Sequence, residues 1–138
     1  MSSMKDETFP IFGYELMRDF LLPTILGKHE KDILYWAGKD LARKFPCIDI
    51  PLIISFFKGA GWGDLALHKE TKDSFIFHLT NNPEQLKIEE RNFRLEAGFI
   101  AEQIQSFKGV LTECYDEKKT KQNQVIFTVK MDLKEKIE

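Results

Sequence analysis

Cysteine is scarce in this chain: two in 138 residues. Cys47 and Cys114 are far apart and show no CxxC spacing. That pattern fits a reducing compartment, so a cytoplasmic protein is expected. Long apolar runs are missing as well. The greasiest stretch, residues 48–57, falls short of the roughly 20 residues needed to cross a bilayer, so no integral membrane segment is expected. Residues 1–8 are polar and mixed in charge, with no apolar core of a secretion signal. Charge of one sign is also missing. The net charge is −2, with basic and acidic residues interleaved, which argues against a general nucleic-acid binder. No repeat or low-complexity linker divides the chain. It reads as a flexible tail over residues 1–8 and a single domain over residues 9–138.

Aromatic and aliphatic residues are plentiful. Hydrophobic residues make up 43% of the chain, and 12 of its residues are phenylalanine. That supply is enough for a core, and rings of this kind also line pockets and subunit interfaces. Apolar periodicity predicts a first helix over residues 10–26, with Tyr14, Met17, Leu21 and Ile25 on one face and a kink at Pro23. A second helix is expected over residues 32–45, its stripe running through Leu34, Ala37, Gly38, Leu41 and Phe45 to a stop at Pro46. The third, residues 51–58, is apolar almost all round, which predicts burial on two sides, by the core and by a partner or ligand. A hairpin follows, with strands around residues 65–69 and 75–79 and a closing turn at Asn81-Asn82-Pro83. A fourth helix over residues 92–107 stops at Gly109, and two strands over residues 110–117 and 124–133 complete the order ααα-ββ-α-ββ. Two hairpin-like pairs predict an α+β fold, with helices on one face of a twisted four-stranded antiparallel sheet.

The usual chemical constellations are each short of a partner. Gly59-Ala60-Gly61-Trp62-Gly63 follows a helix and precedes a strand, the reverse of a dinucleotide loop. His68 and His78 share the hairpin, but no third ligand has suitable spacing, so no metal is expected. Cys114 has no signature histidine, and Ser55 and Ser106 lack an elbow motif. Glu96 and Glu102 are six residues apart on one helix and read as solvated carboxylates rather than an acid–base pair.

Several stretches resemble a known family. Gly13-Tyr14-Glu15-Leu16, the run from Tyr35 to Pro46, Gly61-Trp62-Gly63 and the run from Leu95 to Gln105 are similar to the YslB-like proteins of Gram-positive bacteria. The likeness covers nearly the whole chain. The element order resembles a wider group that includes TRAPP tethering subunits, 4-vinyl-reductase-type domains and haem-nitric-oxide sensors. The resemblance implies a TRAPP-like domain, dimerisation through the early helices and, in several members, a hydrophobic ligand cavity. Glu113 and Cys114 resemble part of the vinyl-reductase pattern, but its later cysteine is missing here. His29 lies in a turn rather than on the haem sensors' proximal helix, and no cofactor is carried over. Cys47 lies near the region of the TRAPP acylated cysteine and is a candidate acylation position.

Together these features predict a non-catalytic homodimer that binds a hydrophobic small molecule or acyl chain, or serves as an adaptor. Candidate pocket residues are Trp36, Phe56, Trp62 and Phe99, with Arg43, Gln103 and Tyr115 as polar anchors. Candidate dimer-interface residues are Leu16, Phe20, Leu21, Ile53 and Phe57. The alternatives are a metal- or thiol-dependent sensor or enzyme using His68, His78, Glu113 and Cys114, and a structural dimeric scaffold without ligand.

Overall fold

The computed structural model describes residues 11–80 and 91–137. The expected tail and the turn at Asn81-Asn82-Pro83 lie outside the described residues. Helix α1 (Ile11–Glu15) widens into a π-helical stretch (Leu16–Leu21) and continues as α2 (Leu22–Leu26). A 3-10 turn leads to α3 (Glu30–Lys44), followed by α4 (Ile50–Gly59). Strands β1 (Asp64–Glu70) and β2 (Ser74–Thr80) precede α5 (Arg94–Lys108), and β3 (Val110–Lys119) and β4 (Gln124–Lys136) close the domain. The four strands pair antiparallel in the order β1-β2-β4-β3, as the hairpin pattern predicts.

Local chemistry sets the helix boundaries. Pro23 has no amide hydrogen, and in a regular α-helix its ring would press on the carbonyl one turn back. The preceding π-helical stretch, where the Leu22 amide reaches back to Met17, opens that turn, so the chain continues instead of breaking. Gly27 then stops it at a φ of 60°, in a region that favours glycine. Asp49 caps α4 by accepting a hydrogen bond from the Leu52 amide at 3.0 Å, and Pro51 occupies the first turn.

Helix α5 is the axis of the core. Ala97, Phe99, Ile100, Ala101 and Ile104 are all fully buried, between α3 and the inner face of the sheet. That sheet face presents Phe75, Phe77 and Leu79 from β2 and Val125, Phe127 and Val129 from β4. Helices α3 and α5 touch backbone to backbone. A Cβ added at Gly38 would collide with the Leu95 carbonyl and the Phe99 amide, and one added at Gly98 with the Tyr35 carbonyl. The two glycines therefore set how close the helices come. The edge strand β3 is blunted from the same side. Its Thr112 amide donates to Gln105 at 3.1 Å and its Cys114 amide to the Tyr35 hydroxyl at 3.2 Å.

Three helix faces are defined within the single chain. On α1–α2, the Met17, Leu21 and Ile25 face is exposed and the charged residue Arg18 is buried. On α3, the buried positions are Leu34, Gly38 and Ala42, while Ala37 and Phe45 are exposed. Helix α4 is buried on one side by the core, and Pro51, Leu52, Ser55 and Lys58 face outward within the single chain. Ile53 and Phe57 are 0% exposed within one chain, so they are core residues and not dimer-surface residues.

Replacing Gly98 with alanine should cost about 2 kcal/mol, because overpacking against backbone outweighs a helix-propensity gain of about 1 kcal/mol. Gly13→Ala meets no neighbouring atom and should be neutral or stabilising. Urea unfolding of both variants checks the predicted opposite signs.

Candidate functional site

The largest aromatic assembly joins α4, α5 and the turn after α4. The Phe56 and Phe99 rings stack at 4.4 Å, and Trp62 packs edge-on to Phe57 at 5.0 Å and to Phe99 at 5.4 Å. Gly61 and Gly63, both at positive φ, let the chain turn Trp62 inward, and its amide bonds the Phe57 carbonyl at 2.9 Å. The candidate pocket residues Phe56, Trp62 and Phe99 therefore meet, and Gln103 borders them. The Gln103 side chain accepts from the Cys47 amide at 2.9 Å and donates to the Phe45 carbonyl at 2.8 Å, clasping the α3–α4 turn. The other three candidates lie apart. Arg43 pairs with Glu102 at 3.2 Å near the surface. Trp36 is 66% exposed beside Lys39, and Tyr115 is 54% exposed on β3.

The two histidines do meet. His68, at a bulge in β1, stacks on His78 with ring centroids 4.2 Å apart, and Gln124 lies 3.3 Å from His78 Nδ1. Partial burial and the neighbouring His68 hold His78 below its ordinary pKa. Glu113 and Cys114 are consecutive strand residues and so point to opposite faces. Cys114 is buried and Glu113 exposed. Among the described residues no three His, Cys, Asp or Glu side chains group as metal ligands. Burial raises the pKa of both Cys47 and Cys114, which disfavours thiolate chemistry.

The strongest polar constellation is one that sequence reasoning missed. Arg18 forks onto both oxygens of Glu96, at 2.6 and 2.9 Å, with the two side chains 2% and 1% exposed. It also donates to the Tyr14 hydroxyl at 2.7 Å and to the Asn92 carbonyl at 3.0 Å. Beside it, Arg91 forks onto Asp19 at 2.8 and 2.9 Å. Arg18 and Asp19 are neighbours in the π-helical stretch, whose wider turn lets consecutive residues face the same wall. Glu96 is thus a buried ion-pair partner and not a solvated carboxylate. Burial is the largest influence and discourages the Arg18 cation, but the charge and hydrogen bonds of Glu96 together with Tyr14 outweigh it, and the guanidinium pKa is raised. Burial pushes the Tyr14 phenol up. The available sequence signal was an Arg-Asp pair interrupting an apolar helix.

A second polar link joins α3 to β3. Arg94 lies 4.2 Å from the centre of the Tyr35 ring and pairs with Asp116 at 2.7 Å. Burial, the largest cause, pushes the Tyr35 phenol from 10.0 to about 12.

Arg18→Ala should destabilise the domain by about 3–5 kcal/mol, because it strands the Glu96 carboxylate. Combining Arg18→Met with Glu96→Leu should recover most of that loss, and urea unfolding of both variants checks it. The folded chain holds the Tyr35 proton more tightly than the unfolded chain. Its contribution to stability is therefore complete below pH 10 and disappears as pH rises towards 12. Tyr35→Phe should lower neutral stability by about 1 kcal/mol and flatten this alkaline decline, as read from thermal midpoints across pH.

Comparisons with known proteins place this geometry. Residues 11–130 match the sequence profile described as "Protein of unknown function (DUF2507)". The "Uncharacterized protein YslB" of Bacillus subtilis is 36% identical over 140 residues, covering 99% of this chain and 95% of that protein. A vinyl-4-reductase family protein from Methanocaldococcus jannaschii aligns with a TM-score of 0.67 at 18% identity, covering 94% of this chain and 86% of that one. A trafficking protein particle complex subunit 3 from Naegleria fowleri, covalently bound to palmitic acid, gives 0.55 at 13% identity, covering 92% and 91%. An Fe(II) unliganded H-NOX protein from K. algicida gives 0.57 at 11%, covering 91% and 75%. These structural likenesses establish a TRAPP-like, vinyl-reductase-like α+β fold, and with the profile and YslB matches in hand, the chain belongs to the DUF2507 family.

Proposed function

We propose that this protein is a non-catalytic homodimeric domain of the cytoplasm that holds an apolar ligand or serves as an adaptor. One observation carries this reading: the N-terminal helix is turned inside out. Its charged residues Arg18 and Asp19 face the core. Ile11, Phe12, Leu16, Met17, Phe20, Leu21 and Ile25 stand in solvent, 40% to 72% exposed. Their combined exposed surface is on the order of 800 Å², the share each partner contributes to a standard interface. Monomers rarely leave so much contiguous apolar surface uncovered. A two-fold axis would lay this face on its own copy, with Leu16, Phe20 and Leu21 in the contact. Ile53 and Phe57 belong to the core side of that arrangement.

The ligand class is our inference from the aromatic assembly around Phe56, Trp62 and Phe99, whose packed rings would part to admit it. An acyl chain or other apolar molecule would enter beside Phe45 and Ile48, both exposed, at the turn that carries Cys47. The palmitate-bound trafficking subunit of similar fold supports that class. Acylation at Cys47 requires the turn to open, since Cys47 is buried and its thiol pKa is raised. Among the described residues no helix is long and apolar enough to cross a membrane.

Native mass spectrometry should give a species of twice the 16.1 kDa chain mass, with bound apolar mass when the protein comes from its own host. Leu16→Asp combined with Phe20→Asp should yield a folded monomer. A wild-type protein that stays monomeric at tens of micromolar would overturn the dimer.

A further inference from the structure

We propose that a concavity at one end of the sheet, between the β1–β2 turn and the ends of α5 and β4, binds a small phosphate-bearing anion. The pairing of β3 with β4 jumps there, from Val110 opposite Lys136 to Leu111 opposite Asp132. Residues 133–135 of β4 therefore leave the ladder, which closes again where the Ile137 amide meets the Gly109 carbonyl at 3.0 Å. The break leaves a hollow of about 450 Å³, within the size range of small-ligand sites.

The walls of the hollow are fixed. The turn that forms one side is closed by the Thr71 amide on the Ser74 carbonyl at 2.9 Å and by a 2.6 Å contact between the two hydroxyls. It is pinned to β4 by the Met131 amide on the Asp73 carbonyl at 2.9 Å. Phe75, Val110 and Met131 are buried and form an apolar floor. Three segments distant in sequence each deliver one cation to the rim: Lys72 from the turn, Lys108 from the end of α5, and Lys136 from β4. None of the three has an ion-pair partner among the described residues. Lys108 Nζ instead lies 5.6 Å from the Phe75 ring centre. Among the described residues the one carboxylate on the lining is Glu70, so three positive charges face one negative there.

Among the described residues the hollow's local charge is +2, three lysines less one glutamate, in a chain whose net charge is −2. A concave cluster of one sign over a low-dielectric floor concentrates field and draws a counter-ion. Ammonium groups grip phosphate as point charges, and a di-anion matches the surplus better than a single carboxylate does. The neighbouring hollow across Lys72 carries Lys130 and Lys134 as well, but Asp73, Glu113 and Asp132 balance them. Of these two hollows, the first carries the positive surplus.

The test is an amide NMR titration at physiological ionic strength with inorganic pyrophosphate, and with acetate for comparison. Saturable shifts confined to residues 70–75, 108–111 and 131–137 are expected, with acetate far weaker. Combining Lys72→Ala with Lys136→Ala should weaken pyrophosphate binding about tenfold or more, with the rest of the spectrum unchanged. Lys58→Ala should leave it unaltered. Cosedimentation with phosphatidylcholine vesicles, with and without phosphatidic acid, separates a lipid headgroup from a soluble phosphate. Binding in either arm that the double variant abolishes upholds the site. Shifts that never saturate, that spread over lysines outside the hollow, or that weaken equally in Lys58→Ala would overturn it.

Discussion

The buried fork of Arg18 on Glu96 decides which way the N-terminal helix faces. Two opposite charges removed from water tolerate burial only when each is fully engaged. Here both carboxylate oxygens are met, and two further guanidinium N–H groups reach the Tyr14 hydroxyl and the Asn92 carbonyl. Arg91 on Asp19 repeats the pattern beside it. The helix is anchored by charge on its inner face, so its apolar residues have only the outside left. The outward apolar face is thus a consequence of the inner ion pairs.

What the anchor holds onto is α5, and α5 is in place because two glycines let α3 lie against its backbone. A helix with a bulky residue at Gly38 or Gly98 would stand off, taking with it the Tyr35 hydroxyl that meets the β3 edge. It would also move Gln103 off the turn carrying Cys47. Glu96 sits one residue after Leu95, whose carbonyl touches Gly38. The helix contact and the ion pair are therefore two grips on the same turn of α5. The aromatic assembly around Phe99 then fills the space between that helix and α4.

Much of this was legible in the sequence. The element order, the antiparallel sheet and the helix stops at Gly27, Pro46 and Gly109 follow from local chemistry that tertiary packing leaves intact. The grouping of Phe56, Trp62 and Phe99 also figured in the sequence reading; local chain geometry with two flanking glycines brings Phe56 and Trp62 together, while Phe99 arrives from α5, beyond the β1–β2 hairpin. The charged inner face of the first helix was not legible, although Leu16, Phe20 and Leu21 read as dimer-interface residues. Apolar spacing says which residues share a side, and the usual inference puts that side inward. The inference fails where ion pairs formed across 78 residues of sequence outbid it. On helix α4 the sequence placed Ile53 and Phe57 at a dimer interface, whereas they fill the core. The hollow at the end of the sheet depends on a three-residue slip in strand register, which alternation alone does not reveal.

The proposed dimer would cover the inside-out helix with the same surface from a second copy. Amide hydrogen exchange across residues 11–26, followed as a function of protein concentration, tests this claim most directly. Protection of α1 and α2 should rise with concentration as copies associate, while protection in α5 stays constant. Protection of α1 and α2 that is independent of concentration would contradict a dimer formed through this helix.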